Sequence, residues 1–148
     1  MSNPGRMSDS AWLHSDKWKR MGTHFLVEVT RHSVELPPDY PLGDGPHRWC
    51  VYAYIYAKHP RFARFDGDRM WQQAAVELPL HGGSSYLKWH SELGKPPHCV
   101  QVGADYNHLH DDRFTHYATE DEAAEVFRDA GELFDFLMKE ATTRRSHE

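Results

Sequence analysis

Polar and apolar residues alternate over several stretches of this chain, and over one stretch they recur at helical spacing. From His24 to Arg31, Phe25, Val27 and Val29 alternate with His24, Glu28 and Thr30, the period of two expected of a half-buried strand. Trp49 to Lys58 is the strongest strand pattern: Val51, Ala53, Ile55 and Ala57 on one side, Tyr52, Tyr54 and Tyr56 on the other. Two such sides imply that both faces are at least partly covered. The tyrosine row could stack a ligand, but a face packed under a helix or loop is the reading favoured. Val76, Leu78 and Leu80 alternate as a further strand, with Pro79, which cannot donate to a ladder, marking an edge or bulge. Ser85 to His90 and His98 to Ala104 add two more. Pro37-Pro38, Gly82-Gly83 and Gly94-Lys95-Pro96-Pro97 punctuate the series as turns.

The helical stretch comes last. Thr119-Glu120-Asp121-Glu122 has the form of a capping box, with three acids where the helix dipole favours them. Ala123, Val126, Phe127, Ala130, Leu133, Phe134, Leu137 and Met138 then form one apolar stripe, predicting a helix over Thr119 to Lys139. A shorter helix is expected from Ser8 to Arg20, capped by Ser8 or Asp9, with Asp16 and Arg20 at i,i+4 spacing. Short strands joined by turns, with one amphipathic helix, make an α+β fold. The expected form is an antiparallel or mixed sheet of four to five strands with the C-terminal helix packed on one face. The length of 148 residues suits one domain over 8–140, with disordered tails over 1–7 and 141–148.

Composition narrows the picture. No apolar run approaches the roughly 20 residues of a membrane span, and the start MSNPGRMSDS lacks the apolar centre of a secretion signal, so a cytoplasmic protein without membrane contact is expected. Cys50 and Cys99 form neither a metal-binding pair nor a disulfide framework and are expected as reduced, buried hydrophobes. A formal net charge of −5 argues against a broad nucleic-acid-binding face and leaves only a local basic patch at Lys17, Lys19 and Arg20. The unusual count is 12 histidines.

Chemistry is densest in Gly103-Ala104-Asp105-Tyr106-Asn107-His108-Leu109-His110-Asp111-Asp112, between the last strand and the capped helix. Loops held between rigid elements often carry binding and catalytic groups. His108 and His110, two apart in extended chain, can share a cation. Asp105, Asp111 or Asp112 could complete an N/O sphere suited to a divalent metal such as Zn, Mn or Fe. His81, beside two glycines that permit close backbone approach, is a further ligand if its loop lies at the same end of the sheet. The same residues serve without metal if Asp105 orients His108 as a general acid or base. Asp and Asn also cap turns, so a purely structural loop is the competing reading. His14, His24, His32, His47, His59 and His147 show no ligand spacing and are expected on the surface or in single hydrogen bonds.

Three short motifs, Lys58-His59-Pro60, then His81-Gly82-Gly83-Ser84-Ser85-Tyr86, then Gly103-Ala104-Asp105 with His108 and Asp111, extend the picture. Over Trp49 to Met138 the chain resembles a family of small proteins often encoded by phages and mobile elements, with an HGG-x-[ST]-[YF] element and a G-x-D-x-x-H-x-x-D element before an acidic helix. It departs from that pattern at Ala104, where an aromatic is usual, and at Tyr106-Asn107, where small residues are. The resemblance implies that His81, Asp105, His108 and Asp111 form one constellation, and it supplies no reaction.

Two functions follow. The first is a metal-binding or hydrolytic protein. Asp105 and His108 are its catalytic residues; His81, His108, His110 and Asp111 are its metal ligands; Gly82, Gly83 and Tyr86 line the bound group, an unspecified small molecule. The second is an acidic protein that inhibits a host defence enzyme by protein–protein contact, with Trp12, Trp18, Trp71 and Trp89 as anchors and the His/Asp/Gly motifs purely structural. An oligomer is compatible with either.

Overall fold

A computed structural model describes residues 15–36, 43–108 and 110–146. Five strands, β1 (Ser15–Met21), β2 (Phe25–Ser33), β3 (His47–Tyr56), β4 (Tyr86–His90) and β5 (Cys99–Asp105), form one antiparallel sheet in the order β1-β2-β3-β5-β4. The alternation read from the sequence orients it. Phe25, Val27, Val29, Trp49, Val51, Ala53, Ile55, Val100 and Val102 face inward, all under 5% exposed. Against them lies a long C-terminal helix, through Val126, Ala130, Leu133, Phe134 and Leu137. No helix among the described residues is long and apolar enough to cross a membrane.

The capping box forms as expected. The Glu122 N–H donates to Thr119 Oγ1 at 3.2 Å, and the N–H groups of Ala118 and Thr119 donate to Glu122 Oε1. Regular helix, α2 (Ala124–Ser146), then runs past the expected end at Lys139.

Two local expectations fail. Where a helix was expected up to Arg20, Ser15–Met21 is a strand paired with β2, Trp18 opposite Val29 and Arg20 opposite Val27. The i,i+4 spacing of Asp16 and Arg20 is outweighed by a seven-residue ladder that puts Trp18 on the core, stacked on Trp49 at 5.6 Å. Residues 8–14 of that helix, and the 1–7 tail, lie outside the described residues. Val76 to Leu80 is not a strand either. The chain forms a short helix, α1 (Gln73–Val76), and turns, burying Ala74, Ala75 and Leu78 while leaving Val76 exposed. Gln72 holds this segment by bonding the Asp66 N–H and the carbonyls of Gly67 and Arg69.

The tyrosine row is covered in part. The ring contacts of α2 go to Trp18, Phe25 and Trp49 on the inward side, so Tyr52, Tyr54 and Tyr56 lie on the opposite face, each half-buried. Among the described residues no helix contacts that face.

His59 departs from the surface role expected of it. It is 2% exposed, its Nδ1 accepts the Arg61 N–H at 3.0 Å and its Nε2–H donates to the Leu137 carbonyl at 2.9 Å. Burial, the largest cause, pushes its pKa below the ordinary 6.5. A histidine held neutral in the folded state contributes stability that is full above pH 6.5 and lost as pH falls from 6.5 toward the depressed folded value. The thermal midpoint should therefore drop between pH 7 and pH 5 by more than it does in His59→Asn, measured side by side. Parallel curves would show that His59 takes up its proton without cost.

Candidate functional site

The candidate site forms at the end of β5, where its last backbone bond, Tyr106 N–H to Trp49 O at 2.9 Å, carries the chain into the 106–111 loop. Asp111 organises this loop. Its side chain, 8% exposed, accepts the His108 N–H at 2.9 Å, and its own N–H donates to the His108 carbonyl at 2.9 Å. Both carboxylate oxygens lie 2.9 Å from His81 Nε2. The Nε2 proton of His81 is therefore shared by the carboxylate, which fixes the ring by one end. The ring faces are fixed too: His81 stacks on Tyr106 at 4.3 Å with an interplanar angle of 12° and meets the edge of Phe114 at 5.3 Å.

The second pair is looser. His108 Nε2 stands 3.5 Å from Asp105 Oδ1, within ion-pair range but too poorly placed for a hydrogen bond, and is sealed from solvent without a hydrogen-bond partner among the described residues. Asp105 also accepts the Asn107 N–H at 3.1 Å. The two imidazoles lie 5.8 Å apart, centroid to centroid. His81 is 25% exposed, His108 36% and Asp105 45%, so the cluster opens to solvent on the His108 side and is anchored inside by Asp111.

The glycines explain the HGG element physically. Gly82 and Gly83 adopt φ of 69° and 86°, the left-handed region that L side chains rarely enter. A Cβ on Gly82 would also stand 3.1 Å from Cδ2 and Nε2 of His108, so the bare backbone is what lets the second ring approach the first loop.

The structure thus brings together His81, Asp105, His108 and Asp111, with Gly82 against them. His110 is exposed with φ of 73°, and no contact among the described residues joins it to the cluster. Tyr86 lies on the tyrosine face, with Gly83 in the turn leading towards it. No group of three or more His, Cys, Asp or Glu side chains converges as a metal site among the described residues. A concavity of about 650 Å³ lies elsewhere, between Arg61, Phe136 and Lys139.

Sequence reasoning undervalued Tyr106, noted only as a departure from small residues. It is 1% exposed, donates to Asp129 Oδ2 at 2.7 Å, and is the platform beneath His81; burial, then Asp129, pushes its pKa up, so it stays a neutral phenol. An aromatic inside a His/Asp loop was the available signal. Of the tryptophans proposed as anchors, Trp71 is 67% exposed, Trp18 packs on the core and Trp89 packs between Phe62 and Phe65; Trp12 lies outside the described residues. Compared with known proteins, the chain matches no family model, no curated protein and no solved structure.

Proposed function

We propose that this chain carries a general acid–base site made of two His–Asp pairs, and that it works as a small hydrolytic or group-transfer protein. The observation that carries the reading is the buried Asp111 carboxylate, which holds His81 by Nε2 at 2.9 Å and the neighbouring His108 by its backbone. A carboxylate that fixes tautomer and orientation is what an imidazole needs to move a proton in a set direction. His108, 36% exposed with its Nε2 turned inward beside Asp105, is one base or acid, and His81 beside Asp111 is its counterpart, 5.8 Å away. Two imidazoles on one site can take a proton from one side of a reacting group and return one to the other. Gly83, where a Cβ would meet nothing within 4 Å, gives the reacting group room at backbone level, while Gly82 makes way for the His108 ring.

The test uses the purified full chain without a histidine tag against activated carboxylic and phosphate esters. His108→Ala and His81→Ala should each lower kcat/KM by about 100-fold or more, and Asp105→Asn by less, with the thermal midpoint of His108→Ala and Asp105→Asn near that of the parent. Parent-like kcat/KM in all three variants, or a collapsed midpoint in His108→Ala, would overturn the reading. Elemental analysis before and after chelation is run on the same preparations. Stoichiometric Zn, Mn or Fe that His108→Ala loses would replace the acid–base reading with a metal centre built on His81, His108 and Asp111.

A further inference from the structure

The face of the sheet turned away from α2 carries a pattern that whole-chain charge conceals. Cross-strand register lays Tyr86, Gly103, Tyr52, Glu28 and Lys19 in one row across four of the joins, and Lys88, Gln101, Tyr54, Leu26 and Met21 in the next. Gly103 stands between the two tyrosines of the first row. Its missing side chain is filled by Tyr52, since a Cβ there would fall 2.4 Å from Tyr52 Cδ1, and Tyr52 meets the Tyr86 ring across it at 5.3 Å and 71°. Tyr54 is held by a hydrogen bond from its hydroxyl to Glu28 at 3.2 Å and lies 5.9 Å from the His90 ring. The rings are therefore fixed by their neighbours while remaining partly exposed.

Charge on this face runs opposite to the chain as a whole. Among its strand residues, Lys17, Lys19, Arg48 and Lys88 stand against Glu28 and Asp105, in a protein whose formal net charge is −5. Glu28 is 4% exposed, and its carboxylate is taken up by the Tyr54 hydroxyl and by Lys19, 4.0 Å away, while the lysines at 17, 19 and 88 are exposed. Fixed aromatic rings bordered by exposed cations are the two elements that hold single strands: bases stack on the rings and phosphates meet the cations.

We propose that this face docks single-stranded nucleic acid, with Tyr52 and Tyr86 stacking bases and Lys17, Lys19 and Lys88 facing phosphates. The acid–base site lies on its path. Asp105 follows Gly103 on the same face of β5, about 7 Å further along at ~3.3 Å per residue, and His108 is 3.5 Å from Asp105. This part of the inference rests on the acid–base reading and supplies its substrate, a phosphodiester. On RNA the step balances without a co-reactant. One imidazole takes the 2′-hydroxyl proton, the 2′-oxygen bonds to phosphorus, the bond from phosphorus to the 5′-oxygen breaks, and the other, protonated imidazole gives that oxygen a proton. The products are a 2′,3′-cyclic phosphate and a 5′-hydroxyl.

The experiment is fluorescence anisotropy of the full chain with 12-nucleotide oligouridylate, 12-nucleotide oligothymidylate and a 12-base-pair DNA duplex, from 50 to 300 mM salt. Both single strands should bind better than the duplex, and with three phosphates neutralised the logarithm of the binding constant should fall against that of salt with a slope of about −2. Tyr86→Ala, on an exposed edge-strand site, should weaken binding at least about fivefold, and Lys88→Glu should weaken it and flatten the salt slope, both with the parent's thermal midpoint. No binding at 50 mM salt, or binding unchanged in both variants, overturns the docking surface; so does a dimer in sedimentation that Tyr86→Ala dissolves. The bound oligouridylate is then assayed for cleavage. Binding without cleavage keeps the surface and removes its link to the acid–base site, whereas ester hydrolysis without oligonucleotide binding keeps the site and removes the surface.

Discussion

Trp49→Ala is expected to lower the free energy of unfolding by about 3 to 5 kcal/mol, the range for truncating a buried aromatic. Trp49 is 1% exposed near the start of β3, stacked on Trp18 at 5.6 Å and edge-on to Phe127 at 5.8 Å. Its indole N–H also donates to the Tyr117 carbonyl at 3.0 Å, which ties the segment before α2 to the sheet. The substitution opens a cavity beside two aromatic side chains and leaves that carbonyl without its donor. Trp49→Phe separates the two effects: it retains most of the packing and should cost about 1 to 2 kcal/mol, chiefly through the lost hydrogen bond. Urea titration with an unchanged slope is the measurement, and a cost below about 1 kcal/mol for Trp49→Ala would mean that the indole is not wedged between sheet and helix.

Arg61→Met should cost about 3 kcal/mol, because it removes the cation from a buried ionic cluster while leaving the carboxylates in place. Arg61 is 2% exposed. Its guanidinium bonds Glu140 through Nε at 2.7 Å and Nη2 at 2.5 Å, and Glu77 at 2.9 Å and the Ala74 carbonyl at 3.0 Å through Nη1. It thereby joins the turn after β3, α1 and the C-terminal half of α2. Arg64 also reaches Glu77, at 2.6 Å, and keeps the cost at the lower end of the range for broken buried pairs. Adding Glu140→Gln to Arg61→Met should recover part of the loss, since the carboxylate stranded by the first change is then neutral. No recovery would show that the guanidinium acts through packing alone. The same cluster has an acid limb. Hydrogen bonds from Gln73 first, then Arg61 and Arg64, hold the Glu77 carboxyl down at about 2. A depressed carboxylate contributes stability that is present above its ordinary value near 4.5 and is lost as pH falls from there toward 2, so Glu77→Gln should flatten stability in that window.

The candidate site was partly legible in the sequence. Strand ends bring distant loops together, so a histidine beside two glycines and a His/Asp loop after a strand were expected to meet, and His81 does lie 2.9 Å from Asp111. The membership of the cluster was not legible. His110 has the same residue type and nearly the same position as His108, but the turn closed by Asp111 sends it to the surface with φ of 73°. Tyr106 became the platform of His81 because it follows Asp105 onto the inward face, a fact set by the register of β5 with β3.

What the sequence determined by itself is the part that depends on near neighbours. The strands at Phe25–Ser33, His47–Tyr56, Tyr86–His90 and Cys99–Asp105 and the capped helix ending the chain follow from periodicity and from a cap three residues long, both local. The tertiary structure decided whatever rests on partners far along the chain. Ser15–Met21 is a strand because residues 26–32 offer it a ladder, and Val76 to Leu80 is not one because α1 and its turn bury Ala75 and Leu78 instead. Arg61 is buried because a carboxylate 79 residues away reaches it. Among the described residues the long helix packs on the face opposite the tyrosine row, which stays half-buried, and alternation along a strand marks two faces without saying which of them a helix will cover.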